Sequence, residues 1–140
     1  MKKKVFLDTN ILLDYGQERE EFQAANAIYK LGDAGAIDLY ASYLSYANLG
    51  YILRHYSQPE RYELIKLMRE GIVVLPCDAN QLDMALRNPV NDYEDMLQYQ
   101  CALTHGCDVI VTNNKKDFQE FCSIPFVTSE EFLLDYFTTC

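Results

Sequence analysis

Short apolar runs alternate along the chain with longer segments of helical periodicity. Four runs are typical of buried strands, at residues 5–7, 37–41, 72–75 and 109–111. Strands joined through helices are parallel, because each crossover returns the chain to the same end of the sheet. The sequence therefore predicts an α/β fold, a central parallel sheet covered on both faces. No repeat or linker divides residues 1–140, so we expect a single domain.

Capping residues, glycine and proline set the predicted helix boundaries. Gly35 and Gly71 end two helices, and Asp78 is predicted to cap a third. The predicted helices are, in chain order, one from about residue 11, then 18–35, 44–56, 60–70, 78–87, 92–105 and one opened by residues 128–131, with a helical turn near 115–121 and a brief strand at 125–127.

Composition excludes several classes of function. Twelve Lys and Arg against 21 Asp and Glu give a net charge of −9. Such a chain repels a polyanion beyond a Debye length of ~10 Å, so any phosphate chemistry needs bound cations or a local basic patch. No apolar run is long enough to span a membrane, and five cysteines without a C-x-x-C pair predict neither a disulfide framework nor a zinc site. We expect a cytoplasmic protein with no membrane contact.

An aspartate interrupts the first apolar run. Asp8 follows the predicted strand at residues 5–7, and Thr9 and Asn10 come next. In open α/β sheets, ligands bind beyond the carboxyl ends of the strands, where the strand order reverses. Asp8 therefore either lies at a ligand-binding edge or caps the helix that follows. Local chemistry leaves both interpretations open.

A second acidic segment opens the helix predicted at residues 92–105. Asp92 and Asp95 are three positions apart and project from the first helical turn on one side, with Glu94 expected to point elsewhere. Their alternative role is structural. Asp92 suits a helix cap, and acids in a first turn interact favourably with the helix dipole.

A third polar segment follows the strand at residues 109–111. Thr112, Asn114 and Asp117 come after its last apolar residue, where they serve equally well as turn formers. Taken together, however, the three segments fall at one edge of a parallel sheet. Gathering carboxylates there is costly unless a cation compensates, and Mg²⁺ or Mn²⁺ accepts carboxylate and amide oxygens.

Four segments, in this order, resemble a known family. "VFLDTNILLDY", "YASYLSYANLGYIL", "DYEDMLQYQCAL" and "DVIVTNNKKDF" are together similar to PIN-domain proteins, in the subgroup akin to VapC-type toxin ribonucleases. The resemblance runs from Val5 to about Phe132. It implies a three-layer α/β/α fold and a Mg²⁺- or Mn²⁺-dependent endonuclease that acts on RNA.

The resemblance also implies roles for individual residues. It makes Asp8 and Asp95 direct metal ligands, Asp92 an auxiliary ligand and Asn114 a ligand at a position often occupied by Asp. Residues with expected contacts to substrate, or that support the ligands, are Asn10, Thr112, Lys115 and Asp117, the last of which is alternatively a structural turn.

The sequence departs from the family at Asn48. Most members carry a glutamate there, on the helix after the second strand. An amide oxygen ligates a hard cation without adding negative charge, so we expect a lower metal affinity and a weakened activity, with Asn48 still part of the catalytic set.

The implied function is an endoribonuclease that hydrolyses single-stranded or looped RNA, as the toxin component of a toxin–antitoxin pair. An antitoxin protein and a homodimer are the expected protein partners. Two alternatives remain. A catalytically weak module could bind RNA or an antitoxin, which Asn48 favours. A phosphatase-like enzyme would need an Asp two residues after Asp8, where Asn10 stands.

Overall fold

Five strands and seven helices alternate along the part of the chain that the structure, a computed structural model, describes. That part is residues 2–139, and Met1 and Cys140 lie outside it. Within it, no helix is long and apolar enough to cross a bilayer. The elements are β1 Lys4–Leu7, α1 Thr9–Gly16, α2 Phe22–Asp33, β2 Asp38–Ser42, α3 Tyr43–Ile52, α4 Gln58–Arg69, β3 Val73–Leu75, α5 Ala79–Arg87, α6 Tyr93–Thr104, β4 Val109–Val111, a 3-10 turn Lys115–Asp117, β5 Phe126–Val127 and α7 Ser129–Thr139.

The five strands form one parallel sheet in the order β3-β2-β1-β4-β5. Phe6 of β1 is in register with Tyr40 of β2 on one side and with Ile110 of β4 on the other. The chain builds outward from β1 through β2 to β3, then returns to add β4 on the other side. The strand order therefore reverses between β1 and β4. The predicted α/β fold with a central parallel sheet is confirmed.

Alternate residues of each central strand bury into opposite faces of the sheet. Val5 and Leu7 pack in one hydrophobic cluster with residues of α1, α2, α3, α4 and α7, whereas Phe6 packs in a second cluster with residues of α5 and α6 and with Phe118, which follows the 3-10 turn. Fully burying one such side chain stabilises the fold by about 1.5–3 kcal/mol. The period-two burial of β1 and β4 produces three layers, with helices on both faces.

Predicted helix ends agree with the structure where glycine or a cap fixes them. Gly35 and Gly71 have φ of +76° and +78°, a backbone conformation that side chains with a Cβ rarely adopt. Asp78 accepts a hydrogen bond from the Asn80 backbone and forms a capping box with Gln81. Gly35 and Gly71 lie just after the ends of α2 and α4, and Asp78 starts α5.

Two predicted helices are shorter in the structure. The helix expected over 18–35 begins at Phe22, because Glu18 adopts φ of 50° and forms a turn. The helix expected over 44–56 ends at Ile52, and Ser57 already caps α4 through the Glu60 backbone. Side-chain periodicity continues through such turns, so it cannot reveal them.

Candidate active site

Asp8 lies in the crevice where the strand order reverses. Its backbone N–H donates to the Val111 carbonyl at 3.1 Å, which joins the ends of β1 and β4. Its Oδ2 accepts a hydrogen bond from Thr112 Oγ1 at 3.0 Å, and its Oδ1 accepts one from the Thr9 backbone at 2.8 Å. Asp8 thus caps α1 and lies where β1 and β4 end. Its role as a ligand at that edge stays a prediction.

Burial makes the charge on Asp8 costly. Only 5% of the residue is exposed, and this burial is the main cause that raises its pKa to about 6. The hydrogen bonds from Thr112 and Thr9 oppose the rise, while the charges of Glu94 and Asp117 add to it. Among residues 2–139 no Lys or Arg forms a salt bridge with Asp8. The site lacks a protein cation at this carboxylate.

Three more aspartates meet near the amino end of α6. Asp92 caps this helix and accepts a hydrogen bond from the Asp95 backbone at 3.0 Å. One carboxylate oxygen from each of Asp92, Asp95 and Asp117 lies within 4.8 Å of the others. Asp117 comes from the 3-10 turn after β4, so the structure brings two distant segments together. We refer to Asp8, Asp92, Asp95 and Asp117 as the carboxylate cluster.

The members of the carboxylate cluster repel one another. Burial raises the pKa of Asp95, and the charges of Asp8, Asp92 and Asp117 raise it further. Asp8 has the largest of these charge effects, so Asp8 and Asp95 belong to one electrostatic unit. Near neutral pH the cluster therefore favours uptake of either a proton or a cation.

The donor set fits a hard divalent cation. Mg²⁺ and Ca²⁺ bind oxygen ligands at about 2.0–2.6 Å, so two oxygens on one ion are at most about 5 Å apart. The 4.8 Å limit among Asp92, Asp95 and Asp117 meets that requirement. Among residues 2–139 no Lys or Arg forms a salt bridge with these three aspartates, so a bound cation would supply the missing positive charge.

Glu94 lies outside the group formed by Asp92, Asp95 and Asp117, but it contacts another predicted site residue, which the sequence analysis did not anticipate. Its Oε1 accepts a hydrogen bond from Asn48 Nδ2 at 2.8 Å. Its charge also raises the pKa of Asp8. Helical spacing could not reveal the contact with Asn48, because that residue lies 46 positions away in the sequence. Asn48 directs its amide nitrogen at Glu94, and its role as an oxygen donor stays a prediction.

Thr112 and the residues after it lie beside Asp8, at the end of β4. Besides donating to Asp8, Thr112 Oγ1 accepts a hydrogen bond from the Asn114 backbone at 3.1 Å, which shapes the turn. The Asn114 side chain is exposed and caps nothing. Asn113 instead anchors the turn, because its amide donates to Asp14 Oδ2 and accepts from the Ser129 backbone.

Two of the four residues expected to contact substrate or support the ligands, Lys115 and Asn10, have side-chain partners within the chain. Lys115 Nζ lies 3.1 Å from Glu131 Oε1, in a partly exposed ion pair. Asn10 Oδ1 accepts a long hydrogen bond of 3.5 Å from Arg19. A cavity of about 490 Å³ lies beside the turn, lined in part by Asn114, Lys115, Lys116 and Asp117. Their contact with substrate stays a prediction.

The chain matches a known protein family and is similar in sequence to a ribonuclease. A family model described as PIN domain matches residues 4–116. Ribonuclease VapC1 of Aquifex aeolicus (strain VF5) is 25% identical over 136 residues, which cover 93% of each chain.

Solved structures share the fold. VapBC-1 from nontypeable Haemophilus influenzae superposes with a TM-score of 0.69 at 20% identity, over 91% of this chain and 98% of that one. A toxin–antitoxin complex from Klebsiella pneumoniae superposes with a TM-score of 0.66 at 19% identity, over 89% and 97%. At these identities the likeness concerns the fold.

Proposed function

Because the chain belongs to the PIN domain family, we propose that it is a metal-dependent endoribonuclease that hydrolyses phosphodiester bonds of RNA. The observation that carries this proposal is the convergence of Asp92, Asp95 and Asp117 within 4.8 Å beside a buried Asp8. A site with this many uncompensated carboxylates suits phosphoryl chemistry only when it holds a cation. The 25% identity to a ribonuclease over 93% of the chain supports RNA as substrate.

The proposed ligands of Mg²⁺ or Mn²⁺ are Asp8, Asp92 and Asp95, with Asn114 and Asp117 completing or supporting the set. Such an ion, when bound, lowers the pKa of a water molecule and neutralises charge on a phosphate. The residues of the chain orient these ligands. Thr112 and the Thr9 backbone each bond one oxygen of Asp8, which fixes the plane of its carboxylate.

RNA must approach a chain with a net charge of −9. We infer that local cations position its phosphates, with Lys116 exposed and Lys115 beside the same cavity. Phosphate contacts of this kind orient a strand without reading its sequence. The crevice lies at the edge of the sheet, so the substrate is single-stranded or looped RNA that can be drawn to the carboxylates.

The proposed biological role is the toxin half of a toxin–antitoxin pair, acting in the cytoplasm. Support comes from the relative named VapC1 and from neighbours in fold that were solved as VapBC or toxin–antitoxin complexes. An antitoxin protein and a homodimer are the proposed partners. Induced expression should arrest bacterial growth, and co-expression of a small protein encoded by an adjacent reading frame should relieve the arrest.

A catalytically weak binding module is the second candidate. Asn48 favours it, because this residue adds no charge to the site and its amide nitrogen is bonded to Glu94. Such a module would bind RNA or an antitoxin without cleaving RNA.

Cleavage of a labelled single-stranded RNA separates the two candidates. The purified protein should cleave it with Mn²⁺, and EDTA should stop cleavage. Asp95→Asn should lose activity, whereas Asp83→Asn, at an exposed position of α5, should not. RNA binding without Mn²⁺-dependent cleavage would favour the binding module. Equal cleavage by Asp95→Asn would point to another site or to a contaminating nuclease.

A further inference from the structure

A buried polar network lies among the elements that carry the carboxylate cluster. It consists of Thr9, Ser42, Ser45 and Gln98. Gln98 Nε2 donates to Ser45 Oγ at 2.9 Å and to Thr9 Oγ1 at 3.3 Å, and Gln98 Oε1 accepts from Ser42 Oγ at 2.8 Å. Thr9 and Ser45 are themselves joined through their hydroxyls at 2.7 Å. Each network residue is at least nine-tenths buried.

An amide at position 98 supplies both an acceptor and two donors to this network. Ser42 Oγ accepts a hydrogen bond from the Ser45 backbone and donates its own proton to Gln98 Oε1. One of the Thr9 and Ser45 hydroxyls donates to the other, and both accept from Gln98 Nε2. A carboxylate at position 98 would lose both donors, and an apolar side chain would lose every bond.

The network connects three elements that present site residues. Thr9 follows Asp8 directly at the end of β1. Gln98 lies one helical turn after Asp95, on the same side of α6. Ser45 lies one turn before Asn48 in α3. A shift of α6 against β1 would therefore break hydrogen bonds in the network, each of them directional and shielded from water.

We propose that Gln98 is a positioning residue that sets the separation of Asp8 and Asp95 and thereby the affinity of the site for a divalent cation. The inference rests on the proposed function, since it concerns the same site. Gln98 touches none of the carboxylates, and it acts through α6, which carries Asp95, and through Thr9, which is bonded to Asp8.

Manganese binding to the full chain tests the proposal without any activity measurement. Gln98→Met keeps the length of the side chain and removes its donors and acceptor. Free Mn²⁺ measured by electron paramagnetic resonance should show an affinity about tenfold lower, as for other residues that orient metal ligands. The matched control is Gln100→Met, which is buried on the same helix and bonds only Met96 Sδ. This control should leave Mn²⁺ affinity unchanged.

A combined variant separates positioning from general stability. Gln98→Met with Thr9→Val and Ser45→Ala removes three of the four polar groups together, so only the Ser42 hydroxyl loses its partner and stability should recover in part. Ser42 is kept because it caps α3. The proposal expects thermal stability above that of Gln98→Met, with Mn²⁺ affinity still reduced about tenfold.

Recovery of Mn²⁺ affinity together with stability would overturn the proposal, because packing alone would then position the carboxylates. Unchanged affinity in Gln98→Met would overturn it as well. Neither result would affect the proposed nuclease. Failure of the unmodified protein to bind Mn²⁺ would instead reject the proposed function and this inference with it. If Gln98→Met does not fold, the combined variant decides alone.

Discussion

Two buried aspartates near opposite ends of helix α1 have different surroundings. Asp8 is 5% exposed and Asp14 is 7% exposed. Asp14 accepts a hydrogen bond of 3.0 Å from Asn113 and lies 3.8 Å from the guanidinium of Arg19. Asp8 accepts hydrogen bonds from a hydroxyl and a backbone N–H, and its charged neighbours are acids.

The two side chains are almost equally buried, but different neighbours act on their pKa values. Burial raises the pKa of both residues, and for Asp14 the hydrogen bond from Asn113 and the charge of Arg19 counteract the rise. For Asp8 the hydrogen bonds from Thr112 and Thr9 also counteract the rise, but the charges of Glu94 and Asp117 add to it. Asp14 ties α1 to the turn after β4 and has a cationic partner in Arg19. Within residues 2–139, Asp8 forms no salt bridge with a Lys or Arg, which is the property expected of a cation ligand.

The largest expected difference between the two aspartates is in catalysis. Asp8→Asn should lower Mn²⁺-dependent RNA cleavage about a thousandfold, since loss of several kcal/mol of charge stabilisation corresponds to that factor. Asp14→Asn should keep cleavage within about threefold, because amide replacement preserves an acceptor for Asn113. Initial rates on labelled RNA measure both. Equal losses would mean that the difference in charge compensation has no functional meaning.

The pH dependence of stability sharpens the same contrast. Burial raises the pKa of Asp8 from an ordinary 3.8 to about 6, so between these values the folded state holds a proton that the unfolded state releases. The metal-free protein should lose stability as pH rises through this window, by up to about 3 kcal/mol from Asp8. The pKa of Asp95 is also raised, so its ionisation likewise lowers the stability of the metal-free protein as pH rises.

Urea unfolding in EDTA at several pH values between 4 and 8 measures this effect. Asp8→Asn removes the charge, so its stability advantage over the unmodified protein should grow with pH and level off above about 6. Asp14→Asn should show a smaller change. A pH-independent advantage of Asp8→Asn would show that Asp8 keeps its ordinary pKa.

A smaller effect is expected when the acid beside Asp8 is neutralised. Glu94→Gln removes one of the charges that raise the Asp8 pKa and should lower the Mn²⁺ affinity about threefold to tenfold, roughly 0.7–1.4 kcal/mol. Asn48→Ala should have a similar effect if its hydrogen bond holds Glu94 in place. The double variant should then be no worse than Glu94→Gln alone. Additive losses would mean that the two residues act separately.

The smallest effect is expected when Asp14 loses its cationic partner and in that respect resembles Asp8. Arg19→Gln removes the cation that lies 3.8 Å from Asp14, in a pair whose arginine side chain is 44% exposed. The free energy of unfolding should fall by about 0.5 kcal/mol, as for other exposed pairs, and the pKa of Asp14 should rise. Carboxyl NMR titration and urea unfolding measure the two changes. An unchanged Asp14 pKa would show that Arg19 does not compensate the charge of Asp14.

Residues at strand ends were the part of the site that the sequence could predict. Asp8 and Thr112 follow β1 and β4, and the crossover rule predicts one common edge for the ends of parallel strands. The structure adds the hydrogen bond between these residues, across a separation of 104 positions. The helix start at Asp92 was predicted equally well, because capping depends on neighbouring residues alone.

Contacts between distant side chains were beyond such prediction. Glu94 was expected to point elsewhere, and the structure has it bonded to Asn48, 46 positions away. Gln98 has the same helical spacing as a core residue, and nothing near it in the chain indicates its bonds to Thr9, Ser42 and Ser45. Asp117 was ambiguous until the 3-10 turn brought it within 4.8 Å of Asp92 and Asp95.

The sequence alone determined the alternation of strands and helices, the parallel sheet and the set of acids at its carboxyl edge. Those properties follow from side-chain periodicity and from caps, which act over a few residues. Only the tertiary structure decided which acids have a cation beside them, which amides they contact and how closely they gather. Burial and charge pairing depend on residues that only folding brings together, and for that reason Asp8 and Asp14, six positions apart in one segment, have different charged neighbours.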